Sequence, residues 1–442
     1  MTADAPERAT AGRARPSFAN AARVFRHRNY RLFFTSQSVS LVGTWMQTVA
    51  QAWLVLELTN DPFVLGLTTA VQFLPVLVFG LFGGLIADAL PKRPTLIVTQ
   101  VVQMLLALSL FVLTVTGRVE VWQILVLAFL LGLSNAVDMP TRQAFVVEMV
   151  GRDDLPNAVA LNSATFNAAR IVGPAIAGLL IGITGVAVAF LVNGLSFLAV
   201  IVGYALMRDD ELRRPRGVQR PGSVRAVLTS VADGLRFIRS SQLVLLAMVV
   251  IGIASMMGLN LGVVVPALAS EVLRVDATGF GLLMAATGVG SLLAALWIAT
   301  LPAVPVGFIA GGAIVMGAAE VVAAVTNAMP LALLAMLAVG FGAIGMAATA
   351  NTTIQLLAPD ALRGRVMSVY TVVFVGSTPV GGLIIGAIAS AMGVAMALAV
   401  GGASCVAVGV LGMAWLHRMR ARDRLEVERR VRAQGTPDVV AG

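Results

Sequence analysis

The chain has almost no lysine, cysteine or histidine, and little charge of any kind. Only 12% of its 442 residues are charged, against 58% hydrophobic, a balance that fits no soluble domain of this length. Lys92 is the sole lysine and stands in Leu90-Pro-Lys-Arg-Pro94. A phosphate-cradling loop needs glycines followed by Lys-Ser or Lys-Thr, so the sequence carries no Walker A motif for an ATP-driven pump. Gly288-Val-Gly290 lacks a third glycine and lies in an apolar run, so it is no dinucleotide fingerprint. Cys405 is the single cysteine, which excludes an intrachain disulfide. His27 and His417 lie outside the apolar runs, which argues against a histidine metal site or proton relay within them. No nucleophile–base constellation is visible, so the reading is not an enzyme, and no cofactor or metal is expected.

What the chain has is twelve long apolar runs. They lie at about 32–56, 63–87, 94–116, 121–147, 157–183, 187–207, 243–269, 279–299, 304–325, 330–356, 366–391 and 394–416. Each is long enough to cross ~30 Å of hydrocarbon as a helix of ~20 residues. The net charge of +9 raises the question of nucleic acid, but the placement of the charge argues otherwise. Arginines concentrate before the first run, in the break at 208–241 and after the last run, while only Arg118 and Arg274 fall in loops on the opposite side. That bias places both termini and the central break in the cytoplasm, with the chain in the inner membrane. Basic flanks also attract anionic lipid headgroups. The expected organisation is a cytoplasmic tail at 1–31, a six-helix bundle at 32–207, a cytoplasmic linker at 208–242, a second six-helix bundle at 243–416 and a tail at 417–442. The stretch from Asn20 to Arg31 fits either a short interfacial helix or a solvated basic flank. From Val224 to Ile238 an amphipathic surface helix is expected.

A repeat relates the two halves. Gly178-Leu-Leu-Ile-Gly182 in span 5 matches Gly382-Leu-Ile-Ile-Gly386 in span 11, each preceded by a helix-breaking proline, Pro174 or Pro379. Two repeated six-helix halves are the build of one large class of secondary transporters. Between spans 2 and 3 the chain reads Gly83-Gly84-Leu-Ile-Ala-Asp88-Ala-Leu-Pro91-Lys92-Arg93. The glycines permit close helix approach, and Asp88 can accept hydrogen bonds or meet a helix N-terminus. In span 4, Asp138 and Arg142 are one turn apart and can pair. Span 5 holds Arg170-Ile-Val-Gly173-Pro174-Ala-Ile-Ala-Gly178. Pro174 frees a carbonyl and bends the helix. The small residues admit a close neighbour, whether for coupling or for packing alone. Arg170 either pairs with a carboxylate or binds an anionic group of a substrate.

Polar faces follow helical spacing. Ser40, Thr44, Gln47 and Gln51 form a stripe in span 1, with Ser163 and Asn167 beside Arg170 in span 5. Asn260 in span 7 and Tyr370, Phe374 and Ser377 in span 11 join them. Such faces line a central cavity or bond neighbouring helices; for the span 1 stripe the cavity is favoured. Glu320 is the only acid deep in the second half. With no intramembrane histidine, Glu320, Asp138 and Asp88 are the candidates for carrying a proton.

The Asp88 loop resembles the signature loop of the major facilitator superfamily, with Gly84, Asp88, Lys92 and Arg93 fitting and Ala89 and Pro91 departing. The span 4 stretch Asn135-Ala-Val-Asp138-Met-Pro140-Thr-Arg142 and the opening Trp53-Leu-Val-Leu-Glu57 resemble the branch of enterobactin-exporter-like and macrolide-efflux-like proteins. Span 5 is similar to the antiporter motif of that superfamily, with Ala177 replacing one glycine. The resemblance implies an all-α fold of twelve transmembrane helices in two pseudo-symmetric six-helix bundles. It also implies a cytoplasmic latch built on Gly84, Asp88, Lys92, Arg93 and Arg142. The second copy of that latch, at Leu301-Pro-Ala-Val-Pro305, has no charge, so the latch is expected to be one-sided. The implied activity is efflux of a small amphipathic molecule, drug-like or a siderophore, by alternating access with proton antiport. Importer, uniporter and non-transporting receptor or scaffold stay as alternatives. The expected partners are the small-molecule substrate, protons and membrane lipids, not nucleic acid, and the chain is expected to be a monomer.

Overall fold

The computed structural model describes residues 23–213, 224–301 and 306–419, with the side chains of 80–89, 224–231, 360 and 361 outside the description. Every long regular element within it is a helix. Spans 1 to 3 are Arg28–Thr59, Pro62–Ala89 and Lys92–Val115. Spans 4 and 5 form one run, Val121–Thr184, broken where Gly151 takes φ 76°. Span 6 is Val186–Ala205, and a helix at Val224–Ser240 leads into the second half. Span 7 comes in two pieces, Gln242–Met257 and Leu261–Ala267, followed by a π-helical turn at Leu268–Val272. Spans 8 to 12 are Ala277–Thr300, Gly307–Val325, Met329–Leu357, Asp360–Met392 and Val394–Arg418. The shortest uninterrupted one, span 9, has 19 residues. At 1.5 Å per residue it reaches ~28 Å, enough for the hydrocarbon layer.

Local chemistry sets the helix ends. Glu120 and Gln123 form a reciprocal capping box at the start of span 4, and Asp276 accepts from Gly279 N–H at the start of span 8. Spans 5 and 6 turn tightly at Gly185 (φ 83°), and spans 11 and 12 at Gly393 (φ 88°), a backbone that glycine adopts without steric cost. The two turns occupy corresponding places in the two halves. Large apolar side chains such as Leu105, Leu296, Leu334 and Leu411 point outward. That is the surface expected where the solvent is lipid and only the backbone must be satisfied internally.

The halves meet through glycines. Gly281 of span 8 lies against span 5: a Cβ there would stand 2.6 Å from Pro174 O and 2.7 Å from Gly178 Cα. Thr278 Oγ1 donates to Gly178 O at 3.3 Å. The mirror contact joins spans 2 and 11, where Gly66 abuts Gly382, and a Cβ on Gly386 would stand 3.0 Å from Pro62 O. Close backbone approach of this kind supplies dispersion contacts that lipid cannot. Gly178 and Gly382 open the two repeated pentapeptides, so the sequence repeat is the pair of crossings. Both crossings lie at the end of the bundle away from the arginines, where spans 2 and 8 begin and spans 5 and 11 finish.

The stretch before span 1 fits neither expected form. A single turn at Arg23–Arg26 buries Val24 completely, in a cluster with Tyr30, Phe33, Leu96, Phe145 and Tyr204. It docks because Arg23, Arg26 and His27 all converge on Asp154, at 3.4, 2.8 and 2.9 Å.

Candidate functional site

Span 5 carries the site residue that stands out. Arg170 lies nineteen residues after the Gly151 break and fourteen before the helix ends at Thr184. At 1.5 Å per residue that is ~20 Å or more from either end, beyond the reach of a snorkelling side chain. Its guanidinium sits over the Trp45 ring of span 1, 5.8 Å from the centroid. Trp45 in turn meets Phe166 edge-on at 5.7 Å. Gly173 makes this possible, because a Cβ there would strike Trp45 Cβ at 2.5 Å. The next turn of span 5 faces the second half: Ile171 and Arg170 O crowd Gly288 of span 8. The segment Arg170, Gly173, Pro174 and Gly178 therefore touches span 1 on one side and span 8 on the other. Among the described residues no carboxylate pairs with Arg170, so the carboxylate partner considered for it is not found.

The three candidate proton carriers fare differently. Asp138 is 1% exposed and fully engaged: Thr99, Gln100 and Arg142 donate to it at 2.8, 3.0 and 3.1 Å. Glu320 is also 1% exposed, but its Oε1 has no hydrogen-bond partner among the described residues. It packs between spans 9 and 12, with Oε2 3.7 Å from where a Cβ on Gly401 would stand. Met257 O, beside the break in span 7, lies 2.6 Å from that same point. This burial leaves Glu320 no place on a polar rim. The side chain of Asp88, and Gly84 with it, lies outside the described residues.

The other expected cavity residues divide. Ser40 and Gln47 do not line an open face; they are 1% and 8% exposed, and Asn193 of span 6 donates to Gln47 Oε1 at 2.6 Å. The polar stripe of span 1 is in part a seam with its neighbour, because interhelical bonding satisfies amides that lipid cannot. Gln51 is likewise buried and donates to Gln72 of span 2 at 3.4 Å, whereas Thr44 is exposed and donates to Ser40 O. Asn167, half-buried, donates to Ser163 O. In the second half, Asn260 donates to Met256 O at 2.7 Å, and its Oδ1, at the break in span 7, has no hydrogen-bond partner among the described residues. Tyr370 stacks on Phe374 at 5.9 Å and donates to Ala347 O of span 10.

At the arginine-rich end the expected latch residues bind within the first half. Lys92 pairs with Glu148 at 2.9 Å. Arg93 donates to Tyr204 O and Ala205 O and pairs with Asp209 at 3.0 Å. Arg142 stays with Asp138, its partner on the same helix. These cations join spans 3, 4 and 6 rather than the two halves, because the nearest acceptors belong to their own bundle. The sequence reading missed Asn193 and Glu148, polar groups on spans 6 and 4 whose only signal was their rarity in apolar runs.

The profile of a family described as transmembrane secretion effector matches residues 19–438. Over 212 residues the chain is 27% identical to the uncharacterized MFS-type transporter YfiS of Bacillus subtilis, covering 48% of this chain and 49% of that protein. It is 29% identical to the staphyloferrin A transporter of Staphylococcus aureus, covering 39% and 44%. The chain thus spans about half the length of these two relatives. With the multidrug efflux pump Tap of Mycolicibacterium fortuitum it is 28% identical, covering 79% of this chain and 87% of Tap. Two solved structures share the fold: the POT family transporter PepTSo (TM-score 0.69, 13% identity, covering 90% of this chain and 99% of that one) and a bacterial homolog of the human lysosomal transporter Spinster, inward-facing and unoccupied (TM-score 0.63, 12% identity, covering 96% and 100%). The family match along nearly the whole chain, on a bundle of twelve spans in two related halves, places this multi-pass membrane protein in the transmembrane secretion effector family of major facilitator transporters.

Proposed function

We propose that this chain is a secondary active exporter of small amphipathic molecules, driven by proton antiport. The arginine bias assigns the basic end to the cytoplasm, in the inner membrane, with both termini on that side. The glycine crossings then close the periplasmic end, and the molecule is inward-facing. Alternating access follows as a rocking of the halves about the midplane, where Arg170, Trp45 and the polar side chains of span 5 lie. The relatives named as multidrug and siderophore transporters support a drug-like or siderophore cargo. One chain suffices for this cycle, with substrate, protons and lipid as its partners.

The observation that carries the coupling is the contrast between the two buried acids. Asp138 already has three donors and serves packing. Glu320 has an oxygen with no donor, which a proton would satisfy and a change of helix contacts would expose. The test is transport in proteoliposomes under an imposed proton gradient, with a panel of macrolides, siderophores and lipophilic cations. Wild type moves cargo only with the gradient. Glu320→Gln keeps binding but loses gradient-driven movement, while Asp138→Asn lowers stability and leaves the gradient dependence intact. Equilibration that ignores the gradient would make the chain a uniporter, and coupling that survives Glu320→Gln would remove that residue from the proton path.

A further inference from the structure

We infer that Arg170 and the aromatic wall beside it form a subsite for an anionic group, so that the cargo is an amphipath with a carboxylate or phosphate head and an aromatic or apolar body. This deepens the exporter reading and rests on it. The argument starts from charge. A cation at mid-membrane is costly, and such residues pair with a partner or face a cavity. Arg170 has no carboxylate partner and donates no hydrogen bond among the described residues. Among the described residues the acids deep in the membrane are engaged elsewhere: Asp138 is taken by Arg142, and Glu320 is sealed between spans 9 and 12.

What Arg170 does have is a ring face. The guanidinium carbon lies over the Trp45 ring, and its five N–H donors, set in a rigid fork, make no hydrogen bond among the described residues. That fork matches the two oxygens of a carboxylate or phosphate. The apolar component lies one turn away, where Phe166 is 47% exposed and half-buried Trp45 meets it edge-on. Span 8 packs directly against this turn through Gly288, which brings no competing charge. Asn260 and Tyr370, the polar side chains expected on the cavity face of the second half, are neutral and buried. A fork beside an exposed aromatic face, with no counter-charge among the described residues, selects an anionic head on an apolar body.

The test compares 1-naphthylacetate with neutral 1-naphthylethanol, measured by calorimetry on purified full-length protein in nonionic detergent at pH 7.5, where the acid is ionised. Wild type should bind the acetate about tenfold or more tightly, the discrimination expected of a charge-assisted pair. Arg170→Gln should bring the ratio near one, with its melting temperature in detergent compared with wild type to report that the variant is folded. Arg170→Lys should keep part of the preference. Added phosphatidylglycerol, compared with phosphatidylcholine, separates the sources of the anion. If it weakens acetate binding to wild type and not to Arg170→Gln, lipid headgroups occupy the same site. A wild type with no preference, or a preference that survives Arg170→Gln, overturns the inference. Binding is read without a gradient, so a confirmed preference in a protein that moves neither compound would count against export and leave the subsite standing.

Discussion

Asp154 is a carboxylate held by three basic side chains, and its behaviour with pH follows from them. Burial acts to raise its carboxyl, but hydrogen bonds from His27 and Arg26 and the charges of Arg26 and Arg23 outweigh burial and hold it below the usual aspartate value of 3.8. A depressed carboxyl contributes stability that is present above the unfolded value and lost as pH falls through the folded one. Asp154→Asn should therefore lower the melting temperature of the detergent-solubilised protein at pH 7. Losing hydrogen bonds to charged donors costs ~1.5–3 kcal/mol each, reduced here because Arg23 and Arg26 are half exposed. The gap between variant and wild type should narrow below about pH 3.8. A gap that persists unchanged from pH 7 to pH 3 would mean that the carboxylate's charge is not what holds the cluster. At this scale the sequence was readable only where partners share a helix. The four-residue spacing of Asp138 and Arg142 announced their pairing. The seats of Gln47 on Asn193 and of Arg170 on Trp45 were hidden, because spacing tells which side chains share a face and not which helix that face meets.

Elements tell more than residues about how the halves touch. Gly66 stands five residues after Asp61, and Gly281 five residues after Asp276. Each aspartate accepts a backbone N–H in the first turn of its span, from Phe63 at 2.9 Å and from Gly279 at 3.1 Å. The sequence repeat in spans 5 and 11 was visible as a pentapeptide, but its mates in spans 2 and 8 share only an aspartate and a glycine, too little to notice without their contacts. A single methyl should decide whether these crossings close. Gly281→Ala places a Cβ against backbone of span 5, and Gly66→Ala places one against Gly382 O, so in both the helices must part. Transport should fall at least tenfold with insertion intact, and a cysteine introduced by Ala277→Cys in a Cys405→Ala background should become more reactive to an impermeant maleimide. Gly262→Ala is the control, since nothing lies within 4 Å of its added carbon. There the usual gain of ~1 kcal/mol for alanine over glycine in a helix applies. Equal loss in all three variants would show that the crossings are not special.

For the molecule as a whole, the long helices were legible in the apolar runs, because the bilayer imposes their length on any chain that crosses it. Which half owns the central connection was not legible. Arg213 is fastened to the first half, its N–H donating to Glu148 O and its guanidinium to Val150 O. The helix at Val224–Ser240 is fastened to the second, where Asp233 pairs with Arg365 of span 11 at 2.5 Å. Between these two moorings run residues 214–223, which at ~3.3–3.6 Å per residue reach at most ~35 Å. Fidelity of assembly then belongs to the crossings rather than to the covalent link. A gene severed within 214–223 and expressed as two pieces should therefore yield halves that find each other in the membrane, co-purify through one affinity tag and recover gradient-driven export. Pieces that insert but never associate would mean that the covalent link keeps the halves together.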